Sequence, residues 1–241
     1  MVFHIITLFP ESFSSYLGES ILKRAIEDKK IKVKFYNPRD FAENKWTKST
    51  QSGSSGQHRW LRKRIDRAPY GGGHGMVIQA EPVIKAVQSA KSKVKSDTVK
   101  IIWLSPSGKQ FTNKYAKKVA GKYTDIIIIC GRYEGIDARV KQVIKTAPTF
   151  GKVGVEQISV GPFVLTGGEL PAEIMIDVIS RQIPGVLGDF NSLEESRISS
   201  PDVYTRPEIF TWKGKKYRVP KILLSGHQAK IEEWKQRQKK S

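Results

Sequence analysis

The 241-residue chain carries 42 lysines and arginines against 23 acidic residues, a formal net charge of +19 at pH 7. That field suits a polyanionic partner, nucleic acid before an anionic membrane surface, and no apolar run approaches the roughly 20 residues of a membrane-spanning helix. Cys130 is the only cysteine, which excludes an internal disulfide and a multi-cysteine metal site; no metal ligands are assigned, and a reducing cytoplasm is the expected compartment.

A chain of this length forms one large domain, or a domain of roughly 150–180 residues with a small companion. Val2 to Leu8 is apolar and reads as a buried first strand, with neither the basic start nor the small-residue cleavage site of a leader. Pro10-Glu11-Ser12-Phe13 turns into a helix expected to run to about Glu27. Ile31 to Phe35 alternates apolar and basic residues, the pattern of a half-buried strand. Residues 44 to 60 include Ser52-Gly53-Ser54-Ser55-Gly56 and read as a loop. Glu81 to Lys91 has helical spacing with Pro82 in the first turn. Val99 to Leu104 is a strand halted by Ser105-Pro106-Ser107-Gly108, Asn113 to Lys122 a helix, and Ile126 to Cys130 a strand apolar enough to be buried on both faces. A long helix is expected over Gly168 to Ile183. Strands alternating with helices predict an α/β fold around a mainly parallel open sheet. Polar residues broken by Pro201 suggest a linker over 189–202. The chain from Tyr204 onward is basic and aromatic and closes with a helix over Gln228 to Gln238, which predicts a small, mostly helical C-terminal domain.

Two strand-then-glycine segments carry the chemistry. The first is Cys130-Gly131-Arg132-Tyr133-Glu134-Gly135-Ile136-Asp137; the second runs from Gln157 through Val160-Gly161-Pro162-Phe163-Val164-Leu165 to Gly167-Gly168. Open α/β sheets place ligands at such strand ends. A third glycine run, Pro69-Tyr70-Gly71-Gly72-Gly73-His74-Gly75-Met76, lacks the lysine of a P-loop and the spacing of a dinucleotide fingerprint.

Together these segments resemble the tRNA (guanine-N1)-methyltransferase (TrmD) family, in the SPOUT class of S-adenosylmethionine enzymes. Leu104-Ser105-Pro106-Ser107-Gly108 is similar to that family's first cofactor loop. The resemblance implies a SPOUT-like fold whose three cofactor loops form a deep trefoil knot. It implies S-adenosylmethionine bound by Trp103, Leu104, Ser105, Pro106 and Gly108, by Gly131, and by Val160, Gly161, Pro162, Phe163, Val164, Leu165, Gly167 and Gly168. At Val160 to Leu165 the family commonly reads Ile-Gly-Asp-Tyr-Val-Leu, so Pro162 replaces a carboxylate and a backbone N–H. The domains expected are 1–188 for cofactor and catalysis, 189–202 as linker, and 203–241 for tRNA binding.

The implied reaction transfers a methyl group to N1 of guanosine 37 of tRNA. A sulfonium methyl is already activated, so catalysis rests on alignment, on removal of the N1 proton and on stabilising charge that develops at guanine O6. Arg181 matches the family arginine credited with that oxygen. Glu134 matches the glutamate near the methionine amino group or a metal, with Mg2+ as the candidate ion. The family base is a linker aspartate; alignment on the linker serine puts Glu195 in its place, with Glu194 beside it, and an ungapped alignment puts Ser196 there. Tyr70, Gly71, Gly72 and Gly73 match the family's base-proximal loop, and Tyr204, Arg206 and His227 its C-terminal domain. Arginines interleaved with Trp60, among them Arg62 and Arg64, suit phosphate contacts and stacking. The resemblance also implies a homodimer with a shared active site and no further protein partner or membrane. Two other readings remain on the sequence: an RNA-binding SPOUT protein with impaired catalysis, and a SPOUT methyltransferase with another RNA target.

Overall fold

The computed structural model describes residues 1–42, 64–94, 98–151, 153–187 and 202–238. It divides into two compact units, Met1–Val186 and Leu187–Ser241. The expected boundary at 188 and all but the last residue of the 189–202 linker lie outside the described residues.

In the first unit, β1 (Val2–Ile6) is followed by a short 3-10 turn at Pro10–Phe13, α1 (Ser14–Leu17), α2 (Ser20–Glu27) and β2 (Lys32–Tyr36). The single helix expected to run to Glu27 is therefore broken. Ser20 sits at φ 52, and a Cβ at Gly18 would lie 2.6 Å from the Ser14 carbonyl oxygen. A glycine thus lets the chain close α1 and turn sharply before α2 begins.

The chain then forms β3 (Asp66–Arg67), β4 (Val77–Ile78), α3 (Ala80–Ser92), β5 (Val99–Gln110), α4 (Asn113–Lys122), β6 (Asp125–Ile129), α5 (Arg139–Thr146), β7 (Val155–Ser159) and α6 (Glu169–Ser180). β1, β2, β5, β6 and β7 form one five-stranded, wholly parallel sheet in the order β2-β1-β6-β5-β7. Helix α6 ends before the expected Ile183. The chain leaves it in short turns ahead of Pro184, a residue type that disfavours helix in its predecessor.

Strand alternation explains the layers. Ile126 and Ile128 face one side, with Leu17, Leu22, Val119, Met175 and Ile176 from α1, α2, α4 and α6. Ile127 and Ile129 face the other, with Val83, Val87, Val140 and Ile144 from α3 and α5. All four isoleucines are fully buried, so each contributes about 1.5–3 kcal/mol by leaving water. The central strand β6 is buried along its whole length because helices cover both faces of the sheet.

Strand β5 departs from the expectation that Ser105–Gly108 ends it. Ile158 pairs with Leu104 and again with Lys109, so the intervening residues loop out and the strand resumes. Gly108 permits this. A Cβ there would lie 2.6 Å from the Ile158 backbone, closer than any side chain tolerates.

The second unit contains β8 (Ile209–Trp212), β9 (Lys215–Arg218), a 3-10 turn at Lys221–Leu224 and α7 (Gln228–Gln238). The β8–β9 hairpin is a feature that the expectation of a mostly helical unit did not include.

Candidate active site

Three neighbouring strands, β6, β5 and β7, end on the same side of the sheet. The loops leaving them surround a cleft of about 500 Å³. Trp103 to Ser107 line it from β5, Gly131 to Ile136 from β6, and Gln157 to Gly161 with Phe163 to Gly168 from β7. Of the expected cofactor residues, Gly108 and Pro162 are not among the lining groups. Gly108 packs on β7, as described above, and Pro162 is exposed.

The loops are tied together locally. Gly168 N–H donates to the Gly131 carbonyl at 2.9 Å, and a Cβ at Gly168 would lie 2.6 Å from Cys130 Cα, so only glycine allows this approach. Ser159 Oγ donates to the Gly161 carbonyl at 2.8 Å and shapes the β7 turn. Arg132 and Glu169 pair at 2.8 Å, and Glu169 also accepts from Thr7 Oγ1 at 2.7 Å. The Arg132 N–H does not point along the line to the carboxylate, so this contact is an ion pair without a linear hydrogen bond. Arg132 therefore engages Glu169 rather than Glu134. Burial pushes the Cys130 thiol well above its ordinary value, with the Glu169 charge adding to it and Arg132 opposing.

The glycine run sits beside this motif. β3 and β4 form a short antiparallel hairpin whose tip holds residues 68–76. Glu134 N–H donates to the Met76 carbonyl at 3.0 Å, Ile78 N–H to Gly135 at 3.0 Å, and Asp137 N–H to Ile78 at 2.9 Å. Gly75 is packed against the Glu134 carboxyl, where a Cβ would lie 2.4 Å from Oε1. Gly71, Gly72 and Gly73 all have positive φ, with open space where side chains would stand, and Tyr70 is 100% exposed. The structure thus brings Glu134 against the Gly75–Met76 end of the glycine run, while Tyr70 to Gly73 stand open.

Arg181 is elsewhere. It caps the C-terminal end of α6, its N–H donating to Asp177 at 3.0 Å, whereas the cleft meets that helix at Gly168 and Pro171. At 1.5 Å per residue, Arg181 lies about 15 Å along the helix from Pro171, the nearest lining residue. Nearby, Tyr16 donates to Asp177, and this hydrogen bond, helped by burial, raises its hydroxyl to about 12 while Arg181 opposes.

Arg64 pairs with Asp66 at 3.4 Å and stays exposed. Glu194, Glu195, Ser196 and Arg62 lie outside the described residues. In the second unit Tyr204 and Arg206 are exposed; so is His227, whose N–H donates to Ser225 Oγ at 3.3 Å.

Sequence reasoning missed Lys141, which lines the cleft with its Nζ 5.2 Å from the Trp103 ring. Its place one helical turn beyond Asp137 was the available signal. It also missed the pairing of Arg132 with Glu169.

The cleft suits a molecule the size of S-adenosylmethionine. Trp103, Leu104, Ile136 and Val160 offer apolar contacts, Ser105 and Glu134 polar ones. Gly131 leaves room that a Cβ would fill, since its nearest neighbour there is Ile136 at 3.8 Å. Among the described residues, no group of three or more His, Cys, Asp or Glu is placed to hold a metal ion, and no helix is long and apolar enough to cross a membrane.

Comparison with known proteins agrees over the full length. A protein from Clostridioides difficile called tRNA (guanine-N(1)-)-methyltransferase is 42% identical over 239 residues, covering 98% of this chain and 90% of the relative. Proteins of the same name from Desulforamulus reducens and Buchnera aphidicola are 39% and 40% identical, with 97% and 98% of this chain covered and 82% and 88% of those relatives. The family model described as tRNA (Guanine-1)-methyltransferase TrmD matches residues 1–241, and the chain belongs to that family.

Proposed function

We propose that the chain transfers a methyl group from S-adenosylmethionine to N1 of guanosine 37 in tRNA. The convergence of three motif-bearing loops on one cleft carries this reading. Membership of a family named for guanine-N1 methylation of tRNA favours it over a catalytically impaired RNA-binding protein or another RNA target.

When bound, S-adenosylmethionine supplies a methyl group activated by its sulfonium. Trp103 to Pro106, Gly131 and Val160 to Leu165 would hold it, apart from Pro162, and Glu134 would meet its amino group. Glu134 is also the carboxylate that a Mg2+ ion would use. The open Tyr70–Gly73 loop would receive the target base, where missing side chains let backbone approach. Glu195 would take the N1 proton. Arg181 would donate to guanine O6 as charge develops there.

The distance of about 15 Å along α6 between Arg181 and the cleft supports a homodimer, with each site completed by the partner's Arg181 and linker. We further propose that the cofactor loops are threaded as a deep trefoil knot. We assign residues 1–188 to catalysis, 189–202 to a linker and 203–241 to tRNA binding through Tyr204, Arg206 and His227, and we place the protein in the cytoplasm.

Labelled methyl transfer to unmodified tRNA transcripts carrying G or A at position 37 tests the assignment. Transfer is expected with G alone; tight tRNA binding without transfer would overturn it.

A further inference from the structure

We infer that one face of the β8–β9 hairpin is a stacking platform for unpaired RNA nucleotides, an inference that rests on the reading of this chain as a tRNA-modifying enzyme. The strands pair with Phe210 opposite Tyr217 and Trp212 opposite Lys215. Strand alternation therefore puts Phe210, Trp212, Lys215 and Tyr217 on one face. The three rings are 56%, 59% and 48% exposed.

The rings are arranged, not scattered. Phe210 and Trp212 lie with centroids 6.4 Å apart and planes 17° from parallel, and Tyr217 adjoins Phe210 at 6.5 Å. The turn between the strands has positive φ at both Lys213 (48°) and Gly214 (77°), the backbone of a tight hairpin whose twist matches its strands. Large rings left in water on one small face contribute little to the fold and mark an interaction surface.

Charge selects the occupant. Residues 209–218 contain Lys213, Lys215, Lys216 and Arg218 and no acidic residue, and Lys215 Nζ lies 5.4 Å from the Tyr217 centroid. Aromatic rings offer a π-face to any unpaired base, and the surrounding cations meet the phosphates. A paired duplex hides its base faces and cannot use such a platform.

The test uses the full chain and three probes: a short single-stranded oligoribonucleotide, an RNA duplex of equal length, and unmodified tRNA. Phe210→Ala and Trp212→Ala should each weaken single-strand and tRNA binding by about tenfold or more and leave duplex binding unchanged. Trp212→Phe should keep most of the affinity. Melting temperature should match the parent chain. Equal losses on single strand and duplex would overturn the inference, as would unchanged RNA affinity with an altered association state, which would make the face a protein contact. Wild-type chain that binds RNA through these rings and methylates nothing would support the platform and sink only the proposed function.

Discussion

Arg132 and Glu169 join two of the three cleft loops through a carboxylate that is almost wholly buried. Thr7 Oγ1 donates to the same carboxylate, Arg132 Nη1 donates to the Thr166 carbonyl at 3.3 Å, and the guanidinium lies 4.7 Å from the Phe9 ring centroid. Glu169→Ala should cost about 3 kcal/mol, the low end for breaking a buried pair, because Arg132 keeps some access to water. Glu169→Gln retains an acceptor for Thr7 and should cost less. Denaturant unfolding measures both, and stability equal to the parent chain would show that the pair contributes nothing.

A shared site predicts complementation. Mixed dimers carrying Arg181→Ala in one chain and a disrupted cofactor loop in the other should contain one working site. Each parent homodimer should be inactive. Mixtures as inactive as the parents would place Arg181 and the cleft of one chain in the same site.

If Glu195 is the base, Glu195→Gln should slow methyl transfer by roughly 10²–10⁴, the usual share of general acid–base catalysis. Affinity for tRNA and S-adenosylmethionine should change little. The wild-type rate should rise with pH until the carboxylate is ionised, and the variant should lose that limb. Single-turnover kinetics on Glu194→Gln beside Glu195→Gln separates the neighbours; near-normal rates in both would exclude either as base.

Phosphate contacts make log K for tRNA fall steeply with log salt. Replacing Arg62, Lys63 and Arg64 by alanine should flatten that slope without altering S-adenosylmethionine affinity. A slope identical to wild type would reduce the cluster to a solubilising surface.

His4 is fully buried on β1, with Nε2 3.0 Å from Asp125 Oδ1 and Nδ1 3.0 Å from the Tyr36 hydroxyl. Burial holds its imidazole below the ordinary 6.5 against the opposing pull of Asp125, and the charges of Lys34 and Lys93 act in the same direction as burial. The unfolded chain therefore takes up the proton first. The stability contribution is complete above 6.5 and is lost as pH falls toward the lower folded value. Melting temperature should drop across that window, and His4→Gln should flatten the drop; parallel curves would assign the acid limb to other groups.

Much of the sheet was legible because its signal is local. Ile126 to Ile129 is too apolar for anything but a strand covered on both sides, and α3 and α4 announce themselves by apolar spacing. The resumption of β5 after Gly108 was hidden because it depends on a close approach to Ile158, far away in sequence. The β3–β4 hairpin was hidden because its strands are two residues long and its glycine-rich tip carries no strand pattern. The β8–β9 hairpin had a readable cue in its alternating Ile209-Phe210-Thr211-Trp212 and the Lys213-Gly214 turn, which lacks the usual asparagine or aspartate. In the site, glycine motifs pointed to the cleft lining but gave no sign that Arg132 pairs with Glu169. Side-chain choice between Glu134 and Glu169 depends on a loop-to-loop approach that spacing does not encode.

The backbone hydrogen bonds joining Met76 and Ile78 to Glu134, Gly135 and Asp137 make the root of the glycine loop and the rim of the cleft one strip of chain. A molecule seated over Gly131 and a base resting by Tyr70 would both bear on that strip. If occupancy of one site raised affinity at the other by some factor, the second would raise the first by the same factor.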